Sequence, residues 1–249
     1  MIHSIGATMH LRSLVAHRGI PALFPGNSLE GLQAVLEIGV QHLEFDIQIS
    51  HDGIPVLFHD ANLRRETGVD ARVEDLTWTQ LKEITFRKNK FDNPIYLTAL
   101  TDAVNLVQQY PKTLIFAEIK RAAIQRSGIL QSSNIILEIL SPIRKRCIPI
   151  STHRGFLRHV RQTWECPIGW IVETWGEFNQ RQANILKPEY LFANHANLSS
   201  DDCRHPASWT WVIYEISDPK LATEWLDRGA TLIESNDCAQ MISKTDKSE

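Results

Sequence analysis

Cysteine is scarce in this 249-residue chain, and what there is stands far apart. Cys147, Cys166, Cys203 and Cys238 form no C-x-x-C pair and no short Cys/His pattern, which argues against a disulfide framework or a zinc knuckle and for reduced, buried thiols. No apolar run approaches the roughly 20 residues of a membrane helix. Excess positive charge is also missing: 26 basic against 29 acidic side chains leave a net charge of −3, which excludes a nucleic-acid binder held by bulk charge. Any anion must be caught locally. The first residues, MIHSIGATMHLRSLVAHRG, are broken by polar and charged groups and lack the apolar centre of a signal peptide. Low-complexity tracts and linkers are absent as well. The expectation is a soluble, cytoplasmic protein without stable membrane insertion, folded as a single domain over residues 1–249.

What is present is a regular alternation of short apolar runs with amphipathic stretches, the pattern of a parallel sheet with crossover helices. Eight runs read as strands: LVAH, HLEFDIQI, TLIFAEIK, IPIST, IGWIV, YLFAN, TWVIYEI and ATLIES. A ninth, IPVLFH, follows SHDG, and an Asp-Gly pair between strand patterns signals a hairpin instead of a crossover. Removing it leaves the eight strands of a TIM (β/α)8 barrel of the α/β class, with a β-hairpin extension and a small insertion, residues 60–97, after the second strand. Asn27 with Glu30 and Thr77 with Gln80 are spaced like capping boxes, Asp218-Pro219 supplies a cap and a first-turn proline, and Gly39 and Gly229 stand where helices should stop. The tail after Met241 is short and polar and is expected to fray.

Strand alternation carries the chemical signal. In HLEFDIQI, Leu43, Phe45, Ile47 and Ile49 share one face, and Glu44, Asp46 and Gln48 share the other. In a barrel that other face is the interior. TLIFAEIK repeats the arrangement, with Glu118 and Lys120 on the face of Leu114 and Phe116. A one-residue slip would expose the acids instead, yet it would leave the matching charges on the second strand without a reason. Ionised carboxylates in a low-dielectric interior are costly unless paired or bound to a metal. Glu44, Asp46 and Glu118 therefore read as an oxygen-rich cluster for one hard divalent cation, Mg²⁺ or Ca²⁺. His17 closes the first strand and His59 the returning arm of the hairpin, both at the rim where such barrels place their chemistry. Two imidazoles beside three carboxylates suit proton transfer near neutrality. Arg18 and Lys120 could hold phosphate oxygens, one by its planar fork and one as a compact charge. These parts suit hydrolysis of a phosphate ester.

The segments AHRG, PGNSLEGLQAVLEIGVQHLEFDIQISHDGIPVLFHDANLRRETG, LIFAEIK, YEISDP and GATLIESND together resemble the glycerophosphodiester phosphodiesterases, in order and spacing, from about residue 14 to residue 240. The resemblance implies a TIM barrel with a small insertion after the hairpin, compact as in the short bacterial members. It implies that Glu44, Asp46 and Glu118 ligate the metal, that His17 and His59 transfer protons, and that Arg18 and Lys120 hold phosphate. It further implies that a small glycerophosphodiester, such as glycerophosphocholine or glycerophosphoethanolamine, is cleaved to sn-glycerol 3-phosphate and an alcohol. His17 is assigned as base and His59 as acid, with the reverse assignment left open. So is the choice between direct attack by water and a cyclic phosphate formed by the neighbouring glycerol hydroxyl. Three positions depart from the family's pattern: Gly26 stands where PENT has an acid, and Tyr214 and Ser217 replace the tryptophan and asparagine of WTVND.

Secondary candidates lie at other strand ends. Glu173 and Tyr214 are expected to reach the substrate pocket, with Phe24, Trp175 and Tyr214 forming an apolar wall. His153 and Arg154 echo the first motif without an acidic strand pair and are read as chance, Trp170 as core, and Asn194 with His195 as a polar loop cap. Lys244 and Lys247 are read as solvated. The stretch FRKNKFDNP is basic with two phenylalanines, a hint of anionic lipid contact against a plain solvated loop. Two rival functions stand beside the first: a lysophospholipase D-type phosphodiesterase, which needs a wider apolar entrance, and a non-catalytic barrel binding phosphate metabolites. Oligomeric state leaves no mark in the sequence.

Overall fold

The computed structural model describes residues 11–87, 90–203 and 208–243. Its strands are β1 (Leu14–His17), β2 (His42–Ile49), β3 (Pro55–Leu57), β4 (Thr98–Ala99), β5 (Leu114–Ile119), β6 (Cys147–Ser151), β7 (Gly169–Val172), β8 (Tyr190–Asn194), β9 (Thr210–Tyr214) and β10 (Leu232–Ser235). Among the described residues, all but β3 and β4 pair in parallel in the order β1-β2-β5-β6-β7-β8-β9-β10, and β10 pairs back with β1. The ring is a closed TIM barrel. Each of the eight strand windows read from the sequence falls on one ring strand. The Asp52-Gly53 hairpin forms too: β3 runs antiparallel to β2, with Leu57 opposite Ile47, and Gly53 supplies the positive φ of 84°.

Alternation sorts the side chains as the sequence predicts. Leu43, Phe45, Ile47 and Ile49 of β2, with Ile115, Ala117 and Ile119 of β5, are buried in the layer between strands and helices. A separate cluster fills the lumen, built from Val15, Phe116, Ile148, Ile150, Phe192, Val212 and Leu232, each from a ring strand. Phe116 anchors it, edge-on to Tyr190 and Phe192 at centroid distances of 4.9 and 5.1 Å. This plug closes the barrel beneath the rim, so polar groups above it face a floor that excludes water. The segment between β3 and β4 gathers Phe58, Leu63, Val73, Leu81 and Phe86 into a small core of its own.

Two of the three expected helix starts carry their caps. Thr77 is capped by Gln80, whose Oε1 accepts the Thr77 amide at 2.9 Å, and Asp218 accepts the Lys220 amide at 3.1 Å. Gly39 ends its helix in the left-handed region, φ 91°, and Gly229 turns at φ 103°. Asn27 is not a cap. Ser28 takes that place on the helix Leu29–Ile38, its Oγ accepting the Gly31 amide at 3.2 Å, and Asn27 serves the site instead. A helix runs from Cys238 to Ser243 and so includes the first two residues after Met241; the rest of the tail expected to fray, residues 244–249 with Lys244 and Lys247, lies outside the described residues. All four cysteines are free and buried. Among the described residues no helix is long and apolar enough to cross a membrane.

Phe116→Ala should empty the centre of the lumen plug and destabilise the protein by about 3–5 kcal/mol. Urea denaturation of both proteins measures it, with a loss under ~1 kcal/mol contradicting the plug's role.

Candidate active site

Strand register assembles the site. In the parallel ladders His17 lies opposite Glu44, and Asp46 lies opposite Glu118. Inward side chains on neighbouring strands thus meet at the C-terminal rim, one layer above the lumen plug. Glu44 and Asp46 are 1% and 0% exposed, depths at which carboxylates need partners. Glu44, Asp46 and Glu118 each place an oxygen within 4.8 Å of the others, and so do His17, Glu44 and Glu234 with their own donor atoms.

The loop after β1 is folded around these acids. Arg18 sits at φ 56° and Asn27 at φ 66°, left-handed values unusual outside glycine. Both are locked by bonds to β2. The Arg18 amide donates to the Glu44 carbonyl at 3.0 Å and lies 3.2 Å from Glu44 Oε2. Asn27 Nδ2 donates to Asp46 Oδ2 at 2.8 Å, and Asn27 Oδ1 accepts the Asp46 amide at 3.0 Å. Between them Gly19, φ 84°, passes so close to the next helix that a Cβ would fall 2.7 Å from the Gly31 carbonyl carbon. Only glycine fits there.

Charge is distributed unevenly. Lys120 Nζ lies 2.8 Å from Glu118 Oε1 and 3.2 Å from Asp46 Oδ1, and Arg18 Nε is 2.9 Å from Asp46 Oδ2 without the alignment of a hydrogen bond. Burial alone would raise the pKa of Asp46, but Lys120 and Arg18 outweigh it and hold this carboxyl well below its usual range. The other acids go the opposite way. Burial, then the charges of Asp46, Glu234 and Glu118, push Glu44 well above its usual range. Burial lifts Glu118 to about 7 against the pull of Lys120, and Glu234 to about 8 against that of Arg18. Glu44 Oε1 and Glu234 Oε1 are buried without a hydrogen-bond partner.

The imidazoles differ in their backing. His17 Nδ1 lies 2.7 Å from Asn236 Oδ1, which makes Nδ1 the protonated nitrogen and leaves Nε2 bare, 3.9 Å from Glu44 Oε2. Burial, then Arg18, holds the His17 pKa down at about 3. His59 Nδ1 lies 2.7 Å from Asp60 Oδ1, and Arg65 Nε holds the other Asp60 oxygen at 2.6 Å. Burial lowers its pKa as well, with Asp46 opposing. Both rings line a cavity of about 260 Å³ in the barrel mouth, together with Arg18, Glu44, Glu118 and Lys120. A second cavity of about 760 Å³ adjoins it, between the loop after β1 and the inserted segment, and shares Arg18 and His59.

Comparison with known proteins identifies the family. The model of the glycerophosphoryl diester phosphodiesterase family matches residues 17–201. The chain belongs to this family. A glycerophosphodiester phosphodiesterase of Bacillus altitudinis is 26% identical over 149 residues, 59% of this chain and 60% of the relative. A human glycerophosphoinositol inositolphosphodiesterase is 40% identical over 79 residues, 28% of this chain and 15% of the relative. The matches therefore span from 15% to 60% of the length of these two relatives. An Oleispira antarctica phosphodiesterase solved with sn-glycerol-3-phosphate superposes with a TM-score of 0.81 at 21% identity, covering 95% of this chain and 97% of that one. A Thermotoga maritima glycerophosphodiester phosphodiesterase gives 0.71 at 20% identity, covering 95% and 98%. At these identities the structural likeness speaks for the fold of the family's barrel.

Of the residues singled out from the sequence, His17, Arg18, Glu44, His59, Glu118, Lys120, Glu173 and Tyr214 line the mouth cavity of this phosphodiesterase-family barrel. Asp46 lies beneath it, fully buried. Phe24 lines the larger cavity. Trp175 is a correction: it packs edge-on against Trp211 and Trp209, at 4.9 and 5.9 Å, apart from both cavities. His153 caps its helix through Nδ1, Trp170 is buried, and Asn194 caps the turn that follows it while also donating to Glu215 at 2.7 Å. In FRKNKFDNP, Phe86 is core, Phe91 stacks on Phe24, and residues 88 and 89 lie outside the described residues. Three members went unread. Glu234 was findable, since it alternates with Leu232 of the lumen and so points inward. Asn236 follows a strand with no periodic signal, and Asn27 was mistaken for a cap.

Glu234 gives a test of this charge balance. Its carboxyl titrates near 4.5 when unfolded and near 8 in the fold, so the folded chain holds the extra proton and stability falls as pH rises between those values. In chelator, Glu234→Gln should therefore melt higher than the parent at pH 8 and lose this advantage at pH 4.5. Equal melting curves at both would contradict the crowding.

Proposed function

We propose that this chain hydrolyses small glycerophosphodiesters to sn-glycerol 3-phosphate and an alcohol, with one divalent cation, Mg²⁺ or Ca²⁺, held by Glu44, Asp46 and Glu118. The residues fit such an ion. Three carboxylates offer oxygens within one coordination sphere's reach, Glu44 Oε1 is buried and unpartnered, and burial and crowding raise the pKa of two of the three acids. A cation bound there would neutralise the cluster and polarise a phosphoryl oxygen.

The single observation that carries the reading is the meeting of two differently backed imidazoles in one carboxylate-rich cavity. His17, neutral and with Nε2 bare, is suited to take the proton of the attacking oxygen. As the phosphorus bond to the leaving alcohol breaks, His59 supplies that alcohol's proton from Nε2. The Asp60 carboxylate behind His59 stabilises its charged form, the state a proton donor must hold, whereas Asn236 gives His17 only an amide oxygen. Arg18 and Lys120 line the same cavity, and a phosphate there would share their charge with the acids they already pair. Attack by water and attack by the neighbouring glycerol hydroxyl use the same two proton transfers.

Turnover of glycerophosphocholine, read through a glycerol 3-phosphate dehydrogenase, tests this. His17→Ala and His59→Ala should each lower kcat by about 10²-fold or more with the fold intact by circular dichroism. Chelator should abolish turnover reversibly, and Glu118→Gln should raise the cation concentration needed for half-maximal rate. Undiminished rates in both alanine variants would sink the assignment.

A further inference from the structure

We infer that the larger cavity is the subsite of the leaving alcohol and that it selects an alcohol carrying an anionic group, met by Arg87 and Lys90. The inference rests on the function proposed above and names its substrate class. The two cavities are unequal in their access to the histidines. His17 lines only the 260 Å³ cavity in the barrel mouth, whereas His59 and Arg18 line both. A residue that protonates the leaving oxygen stands beside the atom where the alcohol begins, so the rest of that alcohol extends past His59. That direction leads into the chamber of about 760 Å³, far roomier than choline or ethanolamine requires.

The chamber is preformed. Lys90 Nζ donates to the Ala22 carbonyl at 3.0 Å, and Phe91 stacks on Phe24 with centroids 4.5 Å apart, so the inserted segment is tied to the loop after β1. Its charges are not balanced. Arg18 is paired with Asp46, and Arg65 with Asp60 and Glu66. Arg87 and Lys90 line the wall with no ion pair among the described residues, and of the two acids in the lining, Glu66 is paired with Arg65 while Asp237 accepts the Gln240 amide on its Oδ1 at 2.9 Å. Gly26 contributes no charge: a Cβ there would rest on the Arg18 Cβ at 3.4 Å, and its absence leaves the floor open. Two cations without a carboxylate partner among the described residues, one bonded only to a carbonyl and the other packed on Gly68, favour an anion and oppose a quaternary ammonium.

The experiment compares cation-loaded wild type and the double variant Arg87→Glu/Lys90→Glu on two diesters differing by one phosphate, glycerophosphoinositol and glycerophosphoinositol 4-phosphate. In wild type kcat/KM should be higher for the phosphorylated substrate, and the double variant should lower the ratio of the two by about tenfold or more, an effect that shrinks with added salt. Arg87→Gln/Lys90→Gln, which keeps polar side chains, should move the ratio the same way by less and covers a failure of the charge-reversed protein to fold. A ratio at or below one in wild type, or one unmoved by either variant, overturns the inference. Calorimetric titration with inositol 4-phosphate, the free alcohol, reads the chamber without turnover. Weakened binding in the variants supports it and equal binding overturns it, while absence of product from every diester counts against the proposed function alone.

Discussion

Carboxylates forced together inside a barrel are the constraint on which the rest of this structure depends. Strand register sets Asp46 beside Glu118 and puts Glu44 beside His17, and the lumen plug beneath them denies these groups bulk water. The chain meets part of the resulting cost with its own groups: Lys120 bridges Asp46 and Glu118, Arg18 leans on Asp46, and Asn27 binds the same acid through both its amide atoms. It does not meet all of it. Glu44 and Glu234 keep buried oxygens without partners, and their pKa values rise accordingly. A fold that only needed stability would have apolar side chains at those positions. Buried carboxylates left without partners in this way fit the cation site proposed above.

The same crowding explains the backbone around it. Arg18 and Asn27 adopt left-handed conformations that L-residues avoid, and Gly19 runs against the backbone of the next helix. The departures at Arg18 and Asn27 bring an amide and a side chain of the loop onto β2, and each is held by hydrogen bonds to Glu44 or Asp46. The loop is therefore rigid for a reason, and that rigidity fixes Arg18 and one wall of each cavity. His59 arrives by a separate route, on the arm of a hairpin pinned to the outward end of β2. Two supports that meet on one strand place the two imidazoles in a common space.

Much of this was legible in the sequence because it rests on period-two alternation and turn chemistry. The eight ring strands, the hairpin after Asp52-Gly53, and the inward acids on β2 and β5 all follow from those rules, which act over a few residues. What escaped depends on contacts between distant segments. Asn27 has the spacing of a helix cap, yet its partner lies 19 residues on in β2, and Ser28 caps the helix instead. Asn236 meets His17 across 219 residues of sequence. Trp175 has the composition of a pocket wall, but it packs edge-on against Trp209 and Trp211, brought in from the region of β9. Glu234 is different in kind, since the alternation that revealed Glu44 applies equally to β10.

The central claim is that the acids on β2 and β5 converge because one hard cation sits among them. Anomalous diffraction from crystals soaked in Mn²⁺, an oxygen-seeking stand-in for Mg²⁺, tests it most directly. The account predicts a single strong peak within bonding distance of Glu44, Asp46 and Glu118, with His17 and His59 free of it. A peak held by the imidazoles, or none at that position under saturating metal, would contradict it.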